Sequence, residues 1–255
     1  MAKVFRKLRQ KLLGENRIKK YVIYALGEIV LVVIGILIAL WINNANQNRQ
    51  LQNKEQAYLT GLKKEFEISK AKLEALIRIN SNHYHGALQL AEMTARTDST
   101  PTEVRFSELL FQSFASDIAF DPNNALLQEM MNSGSLNSIS NQELRLQLTS
   151  WMVTLTDVER QESDLNAQRL QVLDMFRTDS LSIRTILEQT ETSSALGLKP
   201  KTNLPSNLAL LQSKAFENNL LMFALTSQST ELSHYHPLLQ ELNSILEQID
   251  SSITD

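Results

Sequence analysis

The chain has no cysteine among its 255 residues. That excludes a disulfide framework, a lipidated N-terminal cysteine and a thiol nucleophile, so any folded region must be stable through its core alone. Glycine and proline are scarce, at 7 and 5, and no segment alternates apolar and polar residues with β-branched enrichment over a strand's length. The expected fold class is therefore all-α. Neither a G-x-S-x-G nucleophile turn nor a G-x-x-x-x-G-K-[ST] phosphate loop occurs, so the expectation is no enzymatic activity and no cofactor.

What the chain does have is the run Tyr21 to Ile42, 22 residues with one charged side chain, Glu28. At ~1.5 Å per residue a helix of this length covers the ~30 Å hydrocarbon core of a bilayer. The run exceeds the ~7 to 15 residues of a signal-peptide core and no A-x-A-like site follows, so an uncleaved transmembrane helix is expected. Eight basic residues precede it (Lys3, Arg6, Lys7, Arg9, Lys11, Arg17, Lys19, Lys20) against one acid, Glu15. Residues 1–20 should then be a basic cytoplasmic segment. Residues 43–255 would lie across the inner membrane as a periplasmic domain, with 17 Lys+Arg against 26 Asp+Glu, a net of −9. Val4, Phe5, Leu8 and Leu12 recur at helical spacing, so residues 2–13 are expected as an amphipathic helix on the cytoplasmic leaflet, with a topology signal and no further role as the favoured reading over lipid binding. The basic run lacks interleaved aromatics and the rest of the chain is acidic, so no nucleic-acid partner is expected.

Beyond the span, helical periodicity dominates. The first helix should continue out of the bilayer to about Arg96, with a seam at Leu59, Leu62, Phe66, Ser69, Leu73, Leu76, Asn80, His83 and Ala87 in gaps of three and four. Thr97 to Pro101 reads as a loop. A helix from about Thr102 to Ser116 presents Phe106, Leu109, Leu110 and Phe114. Asp121 as N-cap with Pro122 at the first position starts another, which Gly134 ends. Ser140 with Glu143 is a capping box opening the long helix Asn141 to about Arg177. Its seam is Leu144, Leu148, Trp151, Leu155, Val158, Glu162, Leu165, Arg169, Val172 and Phe176. Two long seams imply an antiparallel helical bundle. After a short helix near Leu181 to Gln189, Thr190 to Asn207 reads as a flexible loop. The last helix turns Phe216, Leu220 and Phe223 inward, breaks at Pro237, and resumes with Leu238, Leu242, Ile245, Ile249 and Ile253.

Several patches carry a resemblance. Gly27-Glu28-Ile29, Leu31-Val32, Ile34-Gly35-Ile36-Leu37-Ile38-Ala39-Leu40 and Ile42-Asn43-Asn44 resemble the signature of an uncharacterised family of single-pass membrane proteins common in Bacteroidetes, a domain of unknown function. The basic start Phe5 to Leu13 is similar, as is Met131-Asn132-Ser133-Gly134-Ser135-Leu136 with Ile139, Asn141, Leu144 and Arg145, a Ser-Gly-x-Leu turn between helices. Trp41 departs from the polar residue, and Ala45 from the tryptophan, that relatives carry there. The resemblance implies a helical inner-membrane protein and supplies no activity.

Three sets of residues invite functional readings. All four histidines fall in His83-Tyr84-His85 and His234-Tyr235-His236, yet residues two apart on a helix diverge by ~200°, whereas a chelating pair needs i and i+4. No metal site is therefore assigned. Asn80, His83, Glu162 and Arg169 sit on otherwise apolar seams, either lining a polar pocket or fixing helix register. Ala25, Glu28, Val32, Gly35, Ala39 and Ile42 share one face of the span, with Gly35-x-x-x-Ala39 as a small-residue contact. Glu28 either pairs there or snorkels to the cytoplasmic headgroups. The expected function is a membrane-anchored interaction or scaffold protein of the bacterial envelope, with the membrane, a second copy or another envelope protein as partner. The alternative is a periplasmic sensor acting through a membrane partner, and a metalloprotein or hydrolase stands behind both.

Overall fold

The computed structural model describes residues 18–95 and 101–253, and among them only helices and connecting loops occur. The segment expected as an amphipathic helix at residues 2–13, and most of the loop expected at 97–101, lie outside the described residues. The chain divides into two compact units, Met1–Ala57 and Tyr58–Asp255.

In the first unit the described structure is the N-terminal part of one helix, α1 (Ile18–Ala95). Its apolar side chains are uncovered: Leu31 is 73% and Trp41 72% exposed. Among the described residues it is the one helix long and apolar enough to cross a membrane, with a mean hydropathy of 2.7 over its most apolar window.

The second unit holds the core. The C-terminal part of α1 is followed by α2 (Glu103–Phe114), α3 (Ala125–Ser133), a short 3-10 turn (Ser135–Ser138) and the long α4 (Gln142–Asp174). Then come α5 (Ile183–Gln189), α6 (Thr192–Ala195), a second 3-10 turn (Leu208–Gln212), α7 (Lys214–Thr230), a π-helical turn (Glu231–Tyr235) and α8 (His236–Ser252). Side-chain partners give the directions. Lys63 of α1 meets Asp250 and Asn80 meets Ser227, so the α7–α8 segment runs antiparallel to α1. Gln147 meets Ser244 while Gln161 meets Thr230, so it is antiparallel to α4 as well. The arrangement is the up-and-down bundle that two long apolar seams require.

Both seams face inward. Every residue expected on them is buried except Leu76 and Arg169, which are half-buried. Trp151 occupies the centre of the bundle, 1% exposed, with the Phe66 ring 5.3 Å away and the Phe120 ring edge-on at 6.5 Å. Where α1 meets α2, a Cβ placed on Gly86 would lie 2.3 Å from Ser113 Oγ. Glycine at this position leaves room for the buried Ser113 side chain against α1.

Four features differ from expectation, two through tertiary contacts and two through local geometry. The helix expected to start at Asp121-Pro122 starts at Ala125. Lys72 of α1 donates to the Asp121 carbonyl and the Asn123 side chain, holding that stretch as a loop. The Glu65 carboxylate then caps α3 from across the bundle, accepting from the N–H groups of Leu126 (2.8 Å) and Leu127 (3.4 Å). This satisfies orphan donors that a local cap would otherwise take. The cap of α4 is Asn141 rather than Ser140, its Oδ1 accepting from Leu144 N–H at 3.1 Å. Thr190 to Asn207, expected to be flexible, contains α6 and is tied down at its end: buried Asn207 exchanges two hydrogen bonds with the Ser182 backbone, and Glu103 accepts from Asn207 N–H. Pro237 does not break the last helix. The π turn just before it widens the helix by one residue, which relieves the clash a proline ring makes with the carbonyl four residues back.

Candidate functional site

The π turn is also where buried polar groups converge. A π turn inserts a single residue into a helix and rotates the following side chains relative to an α-helical register. Here it brings Glu231 and Tyr235 into the bundle, 8% and 0% exposed. Each meets a polar residue of an otherwise apolar seam.

From α1, fully buried Asn80 donates through Nδ2 to Glu231 Oε2 at 3.0 Å and to the Ser227 carbonyl at 3.1 Å, and its Oδ1 accepts from Ser227 Oγ at 2.6 Å. Three of the four hydrogen bonds available to the amide are thus made. From α4, Glu162 Oε1 accepts from Tyr235 O–H and from the Phe120 backbone N–H, both at 2.8 Å. Burial pushes the Glu162 carboxyl above its ordinary range, and those two hydrogen bonds oppose the shift. Tyr235 is raised as well, chiefly by burial and then by the Glu162 charge, so it is a pure donor at any physiological pH.

The other two seam positions meet at the end of α2. Arg169 Nε donates to the Phe114 carbonyl at 3.1 Å, which places a cation on the last turn of α2 where exposed carbonyls favour it. His83 Nε2 lies 3.5 Å from Ser116 Oγ, while its Nδ1 is buried with no hydrogen-bond partner among the described residues. Burial, followed by the nearby Arg169 charge, lowers the His83 pKa, so the ring is neutral at neutral pH. Beside Arg169, α2, the end of α4 and α5 line an apolar cavity of about 250 Å³ that is open on one side.

The four seam residues therefore split into two groups, Asn80 and Glu162 around the π turn and His83 and Arg169 at the α2 terminus. The His-Tyr-His tripeptides do not combine. His85 points out, its Nδ1 bonded to the Ser81 carbonyl and its ring stacked on Tyr84. His234 approaches Asp157 at 3.6 Å and His236 approaches Glu231 at 3.9 Å. No three His, Asp or Glu side chains among the described residues are grouped to hold a metal ion. Ala25, Glu28, Val32, Gly35, Ala39 and Ile42 all lie on α1 in the first unit; Ala25 is half-buried and the other five are exposed.

Glu231, Tyr235 and Ser227 are members that sequence reasoning missed, and a signal for them exists. Along α7–α8 the buried positions Phe223, Ser227, Glu231 and Tyr235 are spaced by three successive fours before the pattern returns to Leu238 and Leu242. A seam that alternates threes and fours cannot hold that run without an inserted residue.

The fold and these contacts define an all-helical protein with one candidate membrane helix and a polar cluster buried in its bundle. The model of the family of unknown function DUF6090 matches residues 28–171, more than half of the chain, which therefore belongs to that family. The match takes in Asn80, His83, Glu162 and Arg169 together with the Gly134 turn, where Gly134 adopts a left-handed φ of 73° and Arg145 donates to the Ile139 carbonyl. No curated protein and no solved structure matches the chain.

Proposed function

We propose that the protein is a membrane-anchored interaction protein of the bacterial envelope, held by a single span over residues 21–42. The N-terminus stays in the cytoplasm, and the bundle stands in the periplasm to bind a second copy or another envelope protein. One observation carries the reading: over its most apolar window α1 is not buried by the chain at all. A helical surface of that hydropathy has to be covered by lipid or by another helix. The eight-to-one bias of basic over acidic residues before Tyr21 supports the orientation.

The face Ala25, Glu28, Val32, Gly35, Ala39 and Ile42 is the association surface in this reading. Small residues let helices approach closely enough for the van der Waals packing that drives association in lipid. Nothing lies within 4 Å of a Cβ placed on Gly35, so the chain itself accommodates a larger side chain there. Cross-linking of the full chain in native membranes is the test. Gly35→Leu should abolish the cross-linked species and Glu28→Gln should retain much of it, because an amide still hydrogen-bonds. Cross-linking indifferent to Gly35→Leu would remove the association face from the proposal.

A further inference from the structure

The apolar cavity beside Arg169 is not used by the polar cluster, and its chemistry points to a ligand. It lies between α2, represented by Leu110 and Phe114, the end of α4, represented by Leu173 and Phe176, and α5, represented by Ile183. Arg169 is the one charged residue in the lining. A single guanidinium N–H is spent on the Phe114 carbonyl, and among the described residues the two Nη groups have no protein acceptor and the charge has no carboxylate partner. A half-buried cation against apolar walls carries a desolvation cost that an anion would offset.

We propose that this cavity binds a small monocarboxylate with an apolar tail, the carboxylate on Arg169 and the tail between α2, α4 and α5. Three features select that class. The planar guanidinium presents paired N–H donors that match a carboxylate. Arg169 is the single cation in the lining, and His83, close enough to feel its charge, is kept neutral by burial and by Arg169 itself, so the site offers one positive charge rather than two. A volume of about 250 Å³ falls just under the ~300 Å³ lower bound for drug-sized ligands, which suits a single acyl chain and not a two-chain lipid.

The test is calorimetric titration of the full chain, solubilised in amphipol, with decanoate, decanol and decyl phosphate. Decanoate should bind saturably at one per chain, and decanol at least tenfold more weakly. Arg169→Gln should erase that difference. Because Arg169 also caps α2, a second variant is needed, and Ile183→Glu provides it. Ile183 is 43% exposed at the first position of α5, where an acidic residue is favourable for the helix, so the variant should melt as the parent does while its carboxylate repels the ligand at least tenfold. Equal affinity for decanol and decanoate, tighter binding of decyl phosphate than of decanoate, or unchanged decanoate affinity in Ile183→Glu would each overturn the assignment.

Discussion

Replacing Tyr235 with Phe removes one hydroxyl from the centre of the polar cluster and leaves the ring, so its consequences can be worked from one hydrogen bond. The phenol donates at 2.8 Å to Glu162 Oε1, and both residues are buried. A bond to a charged acceptor contributes about 1.5 to 3 kcal/mol, against about 0.5 to 1.5 for a neutral pair. The loss should therefore depend on whether Glu162 is ionised. The Glu162 carboxyl titrates above its ordinary value of 4.5 because burial outweighs its hydrogen bonds. It holds its proton more tightly folded than unfolded, so the stability it contributes is full below that ordinary value and falls as pH rises through the folded pKa. Taking away the phenol removes a group that lowers this pKa, and the decline with pH steepens. Thermal unfolding of the full chain followed by circular dichroism should show a penalty that is small at pH 4 and about 3 to 12 °C at pH 8, using ~2 to 4 °C per kcal/mol for a domain of this size. In a Glu162→Gln background the penalty should stay small and flat. An equal penalty at both pH values, or growth with pH that persists in the Gln background, would refute the coupling between Tyr235 and Glu162.

Two further predictions concern packing. Trp151→Ala should cost about 3 to 5 kcal/mol as a buried aromatic truncation, seen as a strongly lowered melting temperature, and an unchanged one would show that the α1–α4 seam is not core. Gly86→Ala should cost about 1 to 3 kcal/mol by overpacking against the Ser113 side chain, and a Ser113→Gly exchange in the same chain should recover part of it, since Ser113 Oγ is the atom the new methyl meets.

The apolar seams were legible because a period of 3.5 to 3.6 residues is written directly into the positions of Leu59 through Ala87 and Leu144 through Phe176. The long apolar stretch of α1 was legible for a still simpler reason, 22 residues with a single charged side chain. Asn80 and Glu162 could be picked out as polar residues on those seams, but their partners could not, since Glu231 and Tyr235 lie 151 and 73 residues away along the chain. The start of α3 was hidden for the same reason. Its cap is Glu65, 61 residues earlier, which no local pattern around Asp121 and Pro122 encodes. Pro237 misled in the other direction: its steric demand is local and real, but the π turn that meets it shows only as three successive four-residue gaps. Arg169 looked like an interruption of a seam, and its neighbourhood became visible only when α2 and α5 were placed around it.

The most direct measurement on the central claim is the topology of the anchor. A reporter active only outside the cytoplasm, fused after Asp255, should be active, and the same reporter fused ahead of Met1 should be silent. Activity from the N-terminal fusion with silence from the C-terminal one would contradict the orientation, and silence from both would contradict the span.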